Sequence, residues 1–427
     1  MDHFQFRDGV MHAEDVALPL IAEAVGTPVY VYSTATIERH VRVFRDALAG
    51  LEQDGKAPLI AFAVKANPNR AVLATLARAG LGADVVSGGE LMRARTAGVP
   101  ADKIVFSGVG KTADEMALAL DEGIYQFNLE SEPEAEMLSA VAAARGVTAS
   151  VAYRINPDVD AGTHAKISTG KADNKFGIPY SSAVDAYARL RDLPGLDPVG
   201  VAVHIGSQLT DLAPLASAFA RIGALIAELR AAGHVISRAD LGGGLGVPYD
   251  PALPAPPTPA DYGAMVAQAT AGWDVRLMFE PGRVIVGNAG ILLAEVVRVK
   301  PGAGSPFVIV DAAMNDLLRP SLYDAWHDIR GVTPSGARTT AHVVGPVCES
   351  GDTFASDREM DDVAAGDLVA FMTAGAYAAT MASTYNSRPL TPEVLVSANR
   401  WAVVRQRQPI AALIAADAIP DWFEERE

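Results

Sequence analysis

Short apolar segments alternate with amphipathic segments over most of the chain up to residue 283. The apolar segments have the length of buried strands, whereas the others repeat apolar residues at the spacing of one helix face. After Ser33, for example, Ile37, Val41, Phe44 and Leu48 form one such stripe. Eight strand-like runs are present from residue 59 onward: 59–65, 82–87, 103–107, 124–129, 150–155, 199–205, 238–242 and 275–280.

This alternation predicts a sheet of parallel strands, because each strand is followed by a helix that can cross over it. Eight units within about 225 residues favour an α/β fold of the (β/α)8 TIM-barrel type. A doubly wound open sheet is the alternative, but its glycine fingerprint is absent from the first strand–helix turn. Helical patterns separate the strands at 70–79, 89–97, 112–121, 132–145, 181–192, 212–231 and 260–272.

The pattern changes after Arg283, where strand-like runs follow one another without regular helices between them. Such a series predicts a separate, mostly-β domain. We therefore expect a barrel domain at 36–283 and a β-domain at 284–427, with the segment 1–35 packing with the β-domain. A further strand is expected at 28–32. The runs after the barrel are 290–299, 306–311, 340–346, 367–372 and 400–405.

Polar side chains of catalytic type follow nearly every barrel strand, and the carboxyl ends of barrel strands meet at one mouth. Lys65 ends the first apolar run; burial there would favour its neutral amine, which can form a Schiff base with an aldehyde. The alternative is a lysine that reaches solvent from a strand end. The set is Lys65, Asp84, Ser87, Ser107, Asn128, Arg154, His204, Ser207, the glycines 242–244, Glu280 and Arg283.

Several of these residues together match what one cofactor needs. The glycines 242–244 follow the seventh strand, where barrels often bind phosphate, and Ser207 can donate to a phosphate. His204 could stack on a flat ring or be structural, and Glu280 could be a base, a metal ligand or the partner of a protonated ring nitrogen. With a lysine amine, this is the set that pyridoxal 5'-phosphate requires, so we expect Lys65 to form the Schiff base.

The segment 156–178 is too long for a routine connection and has no periodicity, so we expect it to cover the mouth. The alternative is a disordered surface loop. The segment contains Asp158, His164, Lys166, Lys171 and Lys175.

The formal net charge of −16 argues against nucleic-acid binding. The single cysteine, Cys348, excludes an intramolecular disulfide and favours a reducing, cytoplasmic location. No apolar stretch approaches the roughly 20 residues of a membrane span, and the first residues lack the pattern of a secretory signal. With one cysteine and no His-Glu-x-x-His motif, we expect no metal site.

Five motifs, taken in order, resemble those of the fold-type III pyridoxal-phosphate decarboxylases. The resemblance extends from about residue 25 to about residue 415. The segments 319–323 and 348–352 favour a substrate with a second carboxylate over ornithine or arginine, whose side chains are cationic. The five motifs are Phe62-Ala63-Val64-Lys65-Ala66-Asn67, His204-Ile205-Gly206-Ser207, Gly242-Gly243-Gly244, Glu280-Pro281-Gly282-Arg283 and Cys348-Glu349-Ser350.

The resemblance implies an amino-acid decarboxylase with an alanine-racemase-like domain arrangement, and a homodimer whose active sites are shared between subunits. In that arrangement, Cys348 would reach the partner's cofactor and act as a proton donor, a role that its acidic neighbours suit better than that of a nucleophile. The cofactor-binding residues implied are Lys65, Asp84, Arg154, His204, Ser207, Gly243, Gly244, Glu280, Gly282, Arg283 and Tyr377. The substrate-binding residues implied are Arg283, Arg319, Tyr323, Glu349 and Tyr377.

Three other interpretations use the same cofactor. One is a related decarboxylase that acts on another amino acid or on a carboxylated polyamine. Another is an amino-acid racemase, which would release no carbon dioxide. The third is a non-catalytic pyridoxal-phosphate-binding protein, although that class usually lacks a β-domain.

Overall fold

The computed structural model describes residues 2–160 and 174–423. The chain divides into two compact units, one formed by Thr36–Asn288 and the other by Met1–Ala35 together with Ala289–Glu427. Part of the expected cover over the mouth lies outside the described residues, including His164, Lys166 and Lys171, and its role stays a prediction.

The N-terminal segment contains a small antiparallel sheet followed by one helix and one buried strand. Its elements are β1 (Phe4–Arg7), β2 (Val10–Ala13), β3 (Val16–Ala17), α1 (Leu18–Val25) and β4 (Val29–Ser33). β2 pairs with both β1 and β3. Every residue of β4 is buried, as its continuous apolar run predicts.

Eight parallel strands in the described part of the unit Thr36–Asn288 close into a barrel. They are β5 (Leu59–Ala63), β6 (Gly82–Val85), β7 (Ile104–Phe106), β8 (Gln126–Leu129), β9 (Ala149–Asn156), β11 (Leu196–Ala202), β12 (Arg238–Asp240) and β13 (Arg276–Phe279), with a short strand β10 (Ile178–Pro179) beside β9. Each strand pairs with the next in this order, and β13 returns to β5. The predicted (β/α)8 barrel is thus confirmed.

The apolar runs form strands because both of their faces are covered. Inside the barrel, Leu59, Ala61, Val105 and Met278 pack on one another. Outside it, the helices bury their apolar stripes against the strands. The helices of this unit are α2 (Thr34–Ala47), α3 (Arg70–Arg78), α4 (Gly88–Thr96), α5 (Ala113–Glu122), α6 (Glu132–Arg145), α7 (Ala183–Arg191), α8 (Ala213–Ala231), α9 (Pro259–Ala269) and α10 (Arg283–Val286).

The other unit is mostly β-structure, as predicted. After the barrel it contains β14 (Gly290–Lys300), β15 (Phe307–Val310), α11 (Arg319–Tyr323), β16 (Ile329–Gly331), β17 (Arg338–Val344), β18 (Thr353–Asp361), β19 (Leu368–Phe371), β20 (Glu393–Ser397), β21 (Arg400–Arg405) and α12 (Ile410–Ile414). The N-terminal strand β4 lies inside this sheet, antiparallel to β14 and parallel to β20.

Three of these strands, β16, β18 and β20, are absent from the apolar pattern of the sequence. The longest, β18, carries the exposed charged residues Asp357 and Glu359, so it has no continuous apolar run. No helix in the described part of the chain is long and apolar enough to cross a membrane.

Candidate active site

A cavity of about 380 Å³ lies at the carboxyl ends of the barrel strands. It brings together six of the strand-end residues that the sequence predicts at the mouth: Lys65, Ser107, Asn128, Arg154, His204 and Glu280. Its remaining lining is Val86, Gly108, Val109, Gly110, Phe176, Ala202, Val203 and Asp240. The expected convergence of strand-end side chains is therefore present, although Ser87 instead caps helix α4 by accepting from the amide of Glu90.

Lys65 lies in a single turn of 3-10 helix directly after β5. Its Nζ is 2.7 Å from Oδ2 of Asp84, and its side chain remains 36% exposed while Asp84 is fully buried. The sequence indicated a desolvated lysine but not this carboxylate partner, and whether the amine is neutral stays a prediction. The pair holds the amine at the cavity wall, at the first position where the chain leaves the barrel.

Glu280 lines the cavity among other acidic and polar groups. Its Oε1 accepts from Ser107 Oγ at 3.1 Å and from Asn128 Nδ2 at 3.4 Å. Burial, followed by the negative charges of Asp240 and Asp84, raises the pKa of Glu280 well above its ordinary value, and Lys65 opposes this shift. A buried carboxyl group of this kind suits a cationic N–H as its partner.

His204 follows β11 and is held as a neutral imidazole. Burial, and then the positive charges of Arg154 and Lys65, lower the pKa of His204 well below its ordinary value. The backbone N–H of Gly243 donates to His204 Nδ1 at 3.2 Å, which places the lone pair on that nitrogen. Arg154 donates to the carbonyl of His204 at 3.1 Å and pairs with Glu130 at 3.2 Å. A flat, neutral ring fixed at the cavity wall can stack on another flat ring.

The expected phosphate-binding residues form a second group beside the first. Arg283 is buried and donates to Tyr249 Oη at 2.6 Å and to Ser207 Oγ at 3.2 Å. Gly282 is the N-cap residue of the short helix that begins with Arg283.

The glycines 243 and 244 make the close approach of these loops possible. A side chain on Gly243 would meet the carbonyl oxygen of Glu280 at 2.3 Å. Gly244 has a φ of +116°, which L side chains rarely adopt. The amide of Gly243, which we expected to hold a phosphate, orients His204 here.

Arg319, an expected substrate-binding residue, is buried in the β-rich unit and held by a histidine that the sequence did not point to. Its Nη1 is 2.8 Å from Nε2 of His327, and Nδ1 of the same ring is 2.8 Å from the carbonyl oxygen of Met372. Because a carbonyl only accepts, Nδ1 carries the hydrogen and Nε2 accepts from Arg319. The guanidinium therefore has a fixed orientation.

The loop with Cys348 is shaped by a buried carboxylate. Asp352 accepts from the amides of Val347 at 2.7 Å and Met314 at 2.6 Å, and Cys348 itself is exposed. A hydrogen bond to the carboxylate of Glu349 raises the pKa of Tyr385. These contacts fix the loop but leave its thiol at the surface of the unit.

The two expected tyrosines lie in the same unit. Tyr323 ends helix α11, whose first residue is Arg319. Tyr377 has a φ of +55°, which is unusual for a residue other than glycine and is typical of functional sites.

Several further residues of the barrel site were not predicted from the sequence. Asp240 precedes the glycine cluster and is bound to Asn128 at 2.8 Å. The carboxylate of Glu130 accepts hydrogen bonds from the amides of Gly108 and Gly177 and from the side chain of Arg154. The only signal in the sequence was that Asp240 and Glu130 each stand at a strand end beside polar neighbours.

The geometry fits pyridoxal 5'-phosphate. Lys65 places an amine at the cavity wall, and His204 places a neutral imidazole there. Glu280 is a buried acid with a raised pKa. The buried Oδ1 of Asp84 has no hydrogen-bond partner among the described residues. These are the contacts that an aldehyde, a flat ring and a ring nitrogen require.

Comparison with known proteins agrees with this class. Residues 34–287 match the model of the pyridoxal-dependent decarboxylase family, pyridoxal binding domain. The diaminopimelate decarboxylase of Zymomonas mobilis is 55% identical over 98% of this chain and 99% of its own length, and that of Pseudomonas fluorescens is 50% identical over the same shares. The crystal structure of diaminopimelate decarboxylase from M. jannaschii in complex with L-lysine is 38% identical, covers 98% of both chains and has a TM-score of 0.94.

The chain therefore belongs to the pyridoxal-dependent decarboxylases and, among them, to the diaminopimelate decarboxylases.

Proposed function

We propose that the protein decarboxylates meso-2,6-diaminopimelate to L-lysine and carbon dioxide with pyridoxal 5'-phosphate, in the last step of lysine biosynthesis. The observation that carries this proposal is the cavity that joins Lys65, His204 and Glu280, in a chain 55% identical to a diaminopimelate decarboxylase. When bound, the cofactor supplies an electron sink for the pair left behind by the departing carboxylate.

Each barrel residue has a separate task in this reaction. Lys65 would hold the cofactor through its amine, and Asp84 would keep that amine in place at 2.7 Å. His204 would present its neutral ring to the face of the cofactor, while Arg154 fixes the histidine backbone. Glu280 would hold a proton at the ring nitrogen, where the charge favours electron withdrawal.

The phosphate would be held by the second group of residues. Ser207, Gly243, Gly244, Gly282 and the backbone near Arg283 would provide its donors. Arg283 Nη2 donates to Ser207 Oγ at 3.2 Å. This contact supports a site in which the positive charge of Arg283 lies next to the hydroxyl that would bind the phosphate.

The far end of the substrate carries an ammonium and a carboxylate, and the remaining residues match those charges. Arg319 and Arg283 can bind a carboxylate with two parallel hydrogen bonds, and Glu349 can accept from an ammonium. Tyr323 and Tyr377 would complete this end. A substrate without the second carboxylate would leave a buried guanidinium poorly satisfied, which disfavours its binding.

We further propose a cytoplasmic homodimer in which Cys348 of one subunit gives a proton to the α-carbon of the substrate in the partner's site. A mixing experiment tests this sharing directly. Lys65→Ala and Cys348→Ala subunits are each defective, but a mixed dimer has one site with both residues intact. Random mixing should restore about a quarter of the wild-type activity, because half of the dimers are mixed. If activity is not restored and dimers are present, the two residues belong to the same chain's site.

The substrate is tested by measuring carbon dioxide released from meso-diaminopimelate, L-lysine and L-ornithine in separate reactions. We expect release from meso-diaminopimelate alone. Faster release from lysine or ornithine would point to the related decarboxylases, and a change in optical rotation without gas would point to a racemase.

A further inference from the structure

One buried carboxylate connects several strand ends beside the barrel cavity. Glu130 follows β8, and its side chain is 2% exposed. Its Oε1 accepts from the backbone N–H of Gly108 at 3.1 Å and from Arg154 Nη1 at 3.2 Å. Its Oε2 accepts from the backbone N–H of Gly177 at 2.8 Å. These donors come from the segment after β7, from β9 itself and from the residue just before β10.

The partners of Glu130 form part of the cavity wall. Gly108, Arg154 and Phe176, the neighbour of Gly177, all line the cavity, whereas Glu130 is not among the described lining residues. The guanidinium carbon of Arg154 lies over the ring of Phe176, 4.7 Å from its centre. Arg154 is therefore held at one nitrogen by Glu130 and on one face by an aromatic ring. A change at Glu130 would displace this wall without removing any group from it.

Arg154 extends the effect of Glu130 to His204. Its Nη2 donates to the backbone carbonyl of His204 at 3.1 Å, while its Nη1 pairs with Glu130. The guanidinium is planar and its N–H groups form a rigid fork, so fixing one nitrogen also orients the other. After burial, the positive charge of Arg154 is the next cause that lowers the pKa of His204. The position of Arg154 thus affects both the backbone and the ring of His204.

The hydrogen bonds explain why this position needs a carboxylate. All three partners that bind the side chain of Glu130 are N–H donors. The side chain of glutamine has the same shape, but one of its oxygens is replaced by an NH2 group that only donates. Glu130→Gln would therefore place an N–H group against at least one of these donors, and it would remove the negative charge beside Arg154.

We infer that Glu130 is a positioning residue of the cofactor site: the amides of Gly108 and Gly177 fix its carboxylate, and the carboxylate fixes Arg154, which sets the position of His204. This inference deepens the proposed function and rests on it, since it takes the cavity as the site of pyridoxal 5'-phosphate. Glu130 exchanges no proton with the substrate and acts only through Arg154.

The first test is a titration of the cofactor-free protein with pyridoxal 5'-phosphate, followed by absorption. We expect the Kd of Glu130→Gln to be about tenfold above that of the wild type, the effect of losing one hydrogen bond to a charged group. Glu132→Gln is the matched control, because it changes a surface acid in the first turn of α6 that pairs with Arg189 at 2.6 Å. A Kd of Glu130→Gln equal to that of Glu132→Gln would overturn the inference.

A double variant separates positioning from a general loss of structure. In the Arg154→Met background, Glu130→Gln should weaken cofactor binding much less than it does in the wild type, because no guanidinium remains to be oriented. The same fold-change in both backgrounds would mean that Glu130 does not act through Arg154, and the inference would be wrong. If Arg154→Met binds no cofactor, Arg154→Lys replaces it in the cycle, since lysine keeps the charge but lacks the fork.

Circular dichroism checks that each variant is folded. If Glu130→Gln does not fold, Glu130→Asp replaces it, because aspartate keeps the charge but is one carbon too short to reach all three donors. If the folded wild type binds no pyridoxal 5'-phosphate, the proposed function fails, and nuclear magnetic resonance of the cofactor-free protein still decides the inference. The ring nitrogens of His204 should then resonate differently in the wild type and the Glu130 variant, and unchanged resonances would contradict the role of Glu130.

Discussion

The replacement of Lys111 by methionine should greatly destabilise the barrel. Lys111 is fully buried and donates to three groups: the carbonyl of Gly108 at 2.7 Å, the carbonyl of Asn128 at 2.8 Å and Oε1 of Glu134 at 2.6 Å. An ammonium has three hydrogens, so each is used. Methionine has a similar length but can satisfy none of these acceptors.

The expected loss follows from the partner that is left behind. Removing one member of a buried ion pair typically costs about 3–5 kcal/mol, because the other charge remains buried without compensation. For a unit the size of this barrel, about 1 kcal/mol changes the melting temperature by about 2–4 °C. The variant should therefore melt about 6–20 °C below the wild type.

The dependence on pH provides an independent check. Burial raises the pKa of Glu134, and the charge of Lys111 lowers it. Without Lys111, the pKa of folded Glu134 rises further above that of the unfolded chain, so the folded state binds more protons and its stability falls as pH rises. The deficit of Lys111→Met should thus be smaller at pH 5 than at pH 8.

Thermal unfolding followed by circular dichroism measures both effects. A second substitution, Glu134→Gln, removes the uncompensated charge, so the double variant should regain part of the lost stability and lose most of the pH dependence. Lys103→Met, which removes a surface bond to the carbonyl of Gly80, is the matched control and should melt close to the wild type. A deficit that stays below about 1 kcal/mol at pH 8 would refute the reasoning, because it would mean that the pair is not buried in solution.

Three further predictions concern the site. Lys65→Ala should lose the visible absorption of the bound cofactor, whereas Lys103→Ala keeps it; a wild-type spectrum in Lys65→Ala would contradict the covalent role. Cys348→Ala should bind the cofactor normally but turn over slowly, and an unchanged kcat would remove its proposed role as proton donor. Arg319→Ala should raise the KM for diaminopimelate at least tenfold without changing cofactor affinity, since a charged hydrogen bond contributes about 1.5–3 kcal/mol. His327→Leu should raise this KM by less than Arg319→Ala does. Equal losses of substrate and cofactor affinity in Arg319→Ala would indicate a purely structural arginine.

The barrel could be predicted because each of its strands is buried on both faces. Such strands favour short apolar runs, and the runs at 59–65 and 275–280 correspond to β5 and β13, the two strands that close the ring. The strand β18 had no comparable signal, because its exposed charged residues interrupt the apolar pattern. β20 consists of five residues, and one of its two partners, β4, lies more than 350 residues away in the chain, so that pairing has no local signature.

The positions of the site residues could be predicted, but not what holds them. Polar residues at the ends of barrel strands often face the mouth, and this rule placed Lys65, His204 and Glu280 in one cavity, whereas Ser87 caps helix α4. Their partners depend on the distances between separate loops. The sequence indicated a desolvated Lys65, for example, because nothing in it shows that Asp84 lies 2.7 Å away.

The charges around the mouth also explain why a cationic ring fits there. Three buried acids have a cation nearby: Asp84 has Lys65, Glu130 has Arg154 and Glu134 has Lys111, all within 3.2 Å.

Asp240 and Glu280 differ from these acids, since neither has a lysine or arginine nitrogen within 4.0 Å among the described residues. Burial is the first cause that raises the pKa of each of these two carboxyl groups. A protonated pyridine nitrogen would bring a positive charge to this pair of acids, in a cavity where both are already desolvated.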